Sequence, residues 1–292
     1  MMEIKKGINS KYVYFLFTLP ALILYSVFYV WPVFTGLYYS FTDWNGLSKK
    51  YNIIGFKNYI NVLKDGRFRN SISLTFFYTI LLVVFVMAIA LALALLLNSK
   101  IKHRNLYRAI YFFPTILSLV TVGLIWNQIF YAVIPSIGKA LNISWLSHNI
   151  LGNAKTALFG VLIVNVWQGV AIPLVIILAG LQSVPADLYE AALLDGASAW
   201  DKFKNITFPH IVPVLNVALV ITMKAGFTVF DYIQAMTGGG PGYATESIGI
   251  LIYKHGMTEM KFGYGAAESF ILFLIIALIS FIQIKYLDKK GA

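Results

Sequence analysis

Long apolar runs alternate along the chain with polar connecting segments, and the runs are too long and too uniform for strands or for the half-buried helices of a soluble domain. About 20 consecutive apolar residues cross the roughly 30 Å hydrocarbon layer as a helix. Six such runs predict six membrane spans, over about residues 12–34, 71–97, 106–131, 156–181, 211–235 and 265–284. The first contains Pro20 and Pro32, which membrane helices accommodate where neighbours re-satisfy the freed backbone. The polar start, residues 1–11, carries three lysines as a signal peptide would. The run after it is too long and has no small-residue cleavage site, so it is read as a retained span. The fold class is all-α integral membrane.

The connecting segments carry the detail. The first, Thr35–Asn70, holds Tyr38, Tyr39, Phe41 and Trp44, residues suited to a membrane–water interface, and Phe56–Leu63 reads as a short amphipathic surface helix. The fifth contains Gly238-Gly239-Gly240-Pro241-Gly242, which must break any helix. The fourth, Gln182–His210, is too long for a simple turn. Pro185 can occupy a first helical turn, with Asp187 and Glu190 near the positive end of the helix dipole. Leu188, Ala191, Ala192 and Leu194 give a partly apolar face, and Gly196 ends the helix. Ser198 with Asp201 can cap a second helix, with Phe203, Ile206 and Phe208 on or near one face. Pro209 and Pro213 mark the return to the membrane. The pattern is a helix–glycine–helix elbow on one membrane face. It is either a surface on which another protein docks or a hairpin that only joins two spans.

Composition agrees with the membrane reading: 59% of the 292 residues are hydrophobic and 12% charged, against about 25% charged in soluble domains. The net charge of +11 would suggest nucleic acid in a soluble protein; here the basic residues sit in loops, where lipid headgroups and topology account for them, and no nucleic-acid partner is expected. With both termini cytoplasmic, the inner segments hold 12 Lys and Arg and the outer loops 10. The short loop Ser99–Arg108, with Lys100, Lys102, Arg104 and Arg108, favours that orientation, and the basic first loop opposes it. There is no cysteine, and the four histidines lie far apart, so neither a disulfide nor a metal site is expected. No G-x-x-x-x-G-K-[ST] loop is present, so this chain does not hydrolyse ATP. A membrane-embedded enzyme would need convergent catalytic side chains, and the spans offer none. An ion-driven carrier would need broken helices and intramembrane carboxylates; Asp231 and Glu268 lie only near span ends.

Glu190-Ala191-Ala192-Leu193-Leu194-Asp195-Gly196-Ala197, followed by Phe203, Ile206, Pro209 and Pro213, resembles the EAA loop of ABC importer permeases. Phe41-Thr42-Asp43-Trp44, Phe56-Lys57-Asn58-Tyr59, Phe230-Asp231, Thr237-Gly238-Gly239-Gly240-Pro241 and Gly263-Tyr264-Gly265-Ala266-Ala267 resemble segments of the carbohydrate-uptake members. The resemblance implies a type I importer architecture. Residues 1–70 would hold the cytoplasmic N-terminus, first span and first external loop, 71–285 the transmembrane domain with its EAA loop at about 183–213, and 286–292 a cytoplasmic tail. It implies that Glu190, Ala191, Ala192, Asp195, Gly196, Ala197, Phe203 and Pro209 couple to a pair of ATPase subunits, which would bind ATP and magnesium, leaving no cofactor in this chain. A second homologous permease, an extracytoplasmic solute-binding protein and a carbohydrate complete the expected partners. The expected location is the bacterial cytoplasmic membrane, multi-pass, with both termini cytoplasmic. A permease for an amino acid or polyamine is the nearest alternative.

Alignment from the same motifs implies a solute path lined by Asn165, Gln168, Gly169 and Ile172, and by Thr222, Ala225, Gly226 and Val229. Each set falls on one helix face. Asn165, Gln168 and Thr222 can hydrogen-bond hydroxyls, and the small residues leave room for a ring. Small and polar residues also favour helix packing, and that alternative stays open. Lys224 lies mid-span, where a lysine costs about 2.5–3.5 kcal/mol; it pairs with Asp231 two turns on or faces the path.

Overall fold

The structure, a computed structural model, describes residues 10–99 and 102–287. Most of the expected N-terminal tail, Lys100 of the basic loop and the last five residues of the C-terminal tail fall outside the described residues. The helices are α1 (Ser10–Tyr25), α2 (Trp31–Tyr39), α3 (Lys57–Lys64), α4 (Gly66–Asn98), α5 (Arg104–Ile116), α6 (Leu119–Gln128), α7 (Ile134–Ala140), α8 (Ala157–Gly169), α9 (Ala171–Gln182), α10 (Ala186–Leu194), α11 (Ala199–Lys202), α12 (Phe208–Phe227), α13 (Asp231–Met236), α14 (Ile248–Tyr253) and α15 (Phe262–Leu287). Among the described residues, five helical stretches are long and apolar enough to cross a membrane: Tyr14–Tyr39, Gly66–Asn98, Leu119–Ala140, Ala199–Phe227 and Phe262–Gln283. The pair α8 and α9, bent by 40°, makes a sixth.

The chain divides into two compact units. One comprises residues through Lys64 together with Ile252–Ile271; the other comprises Asp65–Leu251 with the residues from Leu272. In the first, α1 and α2 join through a π-helical turn at Ser26–Val30, and none of the most apolar stretch of this span is buried by the chain. The segment after α2 folds back through an isolated bridge between Thr42 and Ile53. Asn58 of α3, the expected amphipathic helix, donates from Nδ2 to the carbonyls of Ser40 (2.9 Å) and Thr42 (2.8 Å). Gly263 stands where an added Cβ would collide with the Thr42 carbonyl oxygen.

The second unit is built around α4, which packs mainly on α9 and α12. Its buried face runs Ser71, Thr75, Tyr78, Thr79, Leu82, Val86, Ala90, Ala94 and Leu97, the three- and four-residue spacing of a single helix stripe. Thr75 and Thr79 satisfy their hydroxyls on carbonyls one turn back, each at 2.7 Å. Small residues let the helices close up. A Cβ on Gly226 of α12 would sit 2.7 Å from Thr79 Cγ2, and one on Gly180 of α9 would sit 3.0 Å from Val214.

Two expected spans need correction. The run at 106–131 is not one helix: it breaks at Leu117 and Ser118, both extended, after Pro114. The helix that carries the fifth span starts earlier, with the second arm of the connecting elbow, and ends earlier than 211–235. It runs from Ala199 to Phe227 and then breaks at Thr228–Phe230, and residues 231–236 form the separate helix α13. The bend between α8 and α9 follows from Pro173, which cannot donate to the carbonyl of Gly169 and whose ring crowds it.

Candidate functional site: a mid-bundle cavity and a surface elbow

The three helix breaks converge. A cavity of about 310 Å³ lies level with the middle of α4 and is walled by Leu82 and Val86, the α5–α6 break, the α8–α9 bend, and the α12–α13 break. Seven of the eight residues expected along the path line it: Asn165, Gln168, Gly169, Ile172, Thr222, Ala225 and Val229. Gly226 does not; it faces α4 and provides the close approach to Thr79. Val229 reaches the cavity because α12 has ended, not because a continuous helix face carries it there.

The polar groups in this cavity differ in what they leave open. Gln168 is fully engaged on its amide nitrogen, donating to the carbonyls of Pro114 (2.8 Å) and Leu117 (2.9 Å), while its Oε1 accepts from the Tyr232 hydroxyl (2.7 Å). It therefore staples the α5–α6 break to α8 and α13, and its nitrogen has no hydrogen left for a sugar. Asn165 lines the cavity and donates once, to the Tyr78 hydroxyl at 2.8 Å, which leaves its second amide hydrogen and its Oδ1 outside that bond. The Thr222 hydroxyl donates to the Ala218 carbonyl at 2.8 Å and retains acceptor capacity. Thr115, Thr228, Asp231 and Tyr232 also line the space. They were not foreseen because breaks, not helical periodicity, turn them inward. No ion pair joins Lys224 to Asp231 among the described residues; Lys224 is exposed and is not a lining residue.

The second feature is the elbow. Pro185 stands at the N-cap of α10, one place before the first turn, and Asp187 is the acidic residue within that turn. Gly196 adopts φ +72°. The Ala197 N–H donates to the Ala192 carbonyl (2.9 Å) and the Gly196 N–H to that of Leu193 (3.1 Å), the paired bonds of a Schellman ending. Ser198 then opens α11 with a complete capping box on Asp201. The Ser198 hydroxyl and N–H hold the Asp201 carboxyl below its usual range. A π-helical turn, Phe203–Thr207, leads directly into α12, so the second arm of the elbow and the fifth span form one helix of 29 residues. The extra residue in that turn puts Phe203 and Phe208 on one face, with rings 6.0 Å apart. Pro209 follows just after that π-helical turn, where its missing N–H falls inside the long helix rather than at its start. Tyr189 joins Thr207 at 2.8 Å and Ser183 joins His210 at 3.2 Å, clamping the two arms.

The elbow's outer face remains uncovered. Leu193, Leu194 and Trp200 are 62%, 91% and 67% exposed, and Glu190, Ala191 and Asp195 are exposed beside them. Asp195 caps the C-terminal end of α10, where a carboxylate opposes the helix dipole. A residue that breaks a local rule on an exposed apolar surface points to a partner.

Comparison with known proteins agrees with this geometry. Residues 65–290 match the family described as "Binding-protein-dependent transport system inner membrane component". The chain is 40% identical over 289 residues to the multiple sugar-binding transport system permease protein MsmF of Streptococcus mutans, covering 99% of each. It is 38% identical to the probable starch degradation products transport system permease protein AmyD of Thermoanaerobacterium thermosulfurigenes, covering 95% of this chain and 94% of that one. Among solved structures, a chain of a bacterial ABC transporter involved in the import of the acidic polysaccharide alginate superposes with a TM-score of 0.82 at 23% identity, covering 96% of both.

Proposed function

The chain belongs to the family of binding-protein-dependent transport system inner membrane components, and on that premise we propose that it is one permease subunit of an ATP-driven sugar importer. Its relatives are named for multiple sugars and starch degradation products; the neutral hydrogen-bonding groups of Asn165 and Thr222 in the cavity suit hydroxylated solutes of that kind. The chain supplies half of a path. The second half would come from a related permease, whose contact the uncovered first span and the open cavity wall both favour. ATP and magnesium would be held by a separate ATPase pair at the elbow, and an extracytoplasmic binding protein would deliver the sugar.

One observation carries this reading. The elbow's exposed acidic and apolar face is joined to a helix that runs continuously, through a π-helical turn, from Ser198 to the cavity at Thr222 and Ala225. At 1.5 Å per residue that is a lever of about 36 Å. A partner that shifts the elbow on ATP binding moves one cavity wall relative to α4, opening the cavity to alternate sides. The elbow side is then cytoplasmic, and with six spans both termini share it. Sugar uptake in proteoliposomes containing the full transporter tests the coupling. Ala192→Glu puts a carboxylate on the docking face and should abolish uptake while leaving membrane insertion intact; uptake at the unmodified rate would sink the proposal.

A further inference from the structure

A second hollow, of about 590 Å³, lies along α4 and shares no lining residue with the solute cavity. Phe85, Ile89 and Leu93 of α4 form one wall, Tyr111 of α5 a second, and α8 the third, with Trp167 and Val170 at its inner end. The lining is apolar apart from the Tyr111 hydroxyl and the Trp167 indole N–H. Phe85, Ile89, Tyr111 and Trp167 all remain exposed, so the chain does not cover the hollow itself. A narrow cleft continues it, lined by Leu97, Arg108, Ala171, Leu174 and Leu178 with their neighbours. Each wall carries on from one to the other. Leu97 follows Phe85, Ile89 and Leu93 at the four-residue spacing of one helix stripe, Arg108 lies one turn before Tyr111, and Ala171 follows Val170. Hollow and cleft make one trough, wholly inside the second unit.

From Phe85 to Leu97 the trough follows about 18 Å of helix, roughly one leaflet of an approximately 30 Å hydrocarbon layer. It ends where Asn98 and Ser99 close the apolar run of α4, the level of the headgroups. Arg108 stands at that end. It is exposed, and among the described residues it makes no hydrogen bond or ion pair. No carboxylate occurs in the sequence between Asp65 and Asp187. Topology accounts for cations in this loop, but it does not require one of them to lie against Leu97, Leu174 and Leu178. An apolar trough one leaflet deep, ending in a guanidinium, has the make-up of a lipid seat. An acyl chain lies along the helices, and the planar fork of arginine grips a phosphate through paired N–H donors.

We propose that the trough seats one acyl chain of an anionic phospholipid from the leaflet on the elbow's side, with Arg108 holding its phosphate and Lys102 adding to the attraction. Leu178 of the cleft lies one turn before Gln182, where α9 hands over to the elbow, and this fixes the side. The lipid bears on α5, whose other end carries Thr115 and the break at Leu117 beside the solute cavity. An occupied trough therefore holds that cavity wall against α4. The site requires only that these helices span a bilayer; it does not depend on the importer reading.

The test uses the full chain, with whatever subunits purify alongside it, in phosphatidylcholine nanodiscs. The probes are phosphatidylglycerol and phosphatidylcholine, each with a photoactivatable diazirine at the end of one acyl chain, added at equal mole fraction. Labelled peptides are identified by mass spectrometry after illumination. The phosphatidylglycerol probe should label the trough, residues 85–97 and 159–170, about fivefold more than the phosphatidylcholine probe, with no such preference on the other spans. Arg108→Gln should erase the preference and Arg108→Lys should keep part of it. Leu93→Trp, which fills the hollow and leaves Arg108 in place, should lower trough labelling by both probes. If Arg108→Gln does not assemble, the comparison of the two probes in the unmodified chain decides. Equal labelling of the trough by both probes would overturn the proposal, leaving ordinary solvating lipid. So would a preference that survives Arg108→Gln. An unlabelled trough whose residues cross-link to another protein chain would also overturn it, since a partner helix would then be the occupant.

Discussion

Gly196 offers a clean perturbation of the elbow because its surroundings and its backbone make opposite demands. An added Cβ would meet nothing within 4 Å, yet φ is +72°, where an L-residue with a Cβ costs roughly 1–2 kcal/mol. Gly196→Ala is therefore a purely conformational penalty in the free chain, corresponding to about a 5- to 30-fold loss in the population of the closed Schellman ending. Gly196→Val should cost more, because β-branching disfavours positive φ further. Gly196→Asn should cost less, because asparagine tolerates the left-handed region. Gly196→Pro should be worst: its φ is fixed near −65°, roughly 140° away, and it deletes the N–H bonded to the Leu193 carbonyl. The assay is paired, with sugar uptake and ATP hydrolysis in proteoliposomes and hydrogen exchange at the Gly196 and Ala197 amides. The expected order of retained coupling is Gly, Asn, Ala, Val, Pro, with amide protection falling in parallel. Valine working as well as glycine would refute the backbone argument. Asparagine failing as badly as valine would show that bulk against the partner, not φ, is what matters.

Three further outcomes follow from the geometry. Gln168→Leu removes three hydrogen bonds that tie the helix breaks together; at about 0.6–1.7 kcal/mol each in a membrane protein, stability should drop by about 2–5 kcal/mol in a thermal or denaturant titration, and Tyr232→Phe should cost about a third of that. Arg67→Ala breaks the ion pair of Arg67 with the fully buried Glu246, 2.7 Å apart, so a loss of up to about 3–5 kcal/mol is expected, with Arg67→Lys recovering part of it in the same titration. Because the Asp201 carboxyl is held below its ordinary 3.8, its ionised form stabilises the start of α11 above that pH. That contribution should fade as pH falls through and below the carboxylate range, seen as a loss of protection, relative to the intrinsic exchange rate at each pH, at the Ser198 amide that the carboxyl accepts, from pH 5 to pH 3 in the unmodified chain but not in Asp201→Asn.

Much of this was written plainly in the sequence, and the exceptions share a cause. The elbow was legible residue by residue, because glycine after a helix and serine three before aspartate act locally. The expected amphipathic helix beside the first loop was legible for the same reason. The break at Leu117–Ser118 was not, since apolar residues continue through it and the stabilising groups come from Gln168, far along the chain. Similarly, Asp231 and Tyr232 read as the end of a span, and only the turn at Thr228–Phe230 brings them to the cavity. α4 is apolar on every side, so hydropathy has no period there, and its packing stripe is visible only in contact with α9 and α12. Gly226 looked like space for a sugar ring; the nearness of Thr79 makes it space for a helix.

The central claim is that an ATP-hydrolysing partner on the elbow drives sugar through the cavity. The direct measurement is purification of the tagged chain from its native membrane in mild detergent, identification of what accompanies it, and reconstitution of the recovered complex for sugar uptake with and without ATP. The account predicts an ATPase subunit and a second permease in the complex, with uptake that requires ATP and binding protein. Recovery of this chain alone, under conditions that keep a known importer intact, or uptake that follows an ion gradient without ATP, would contradict it.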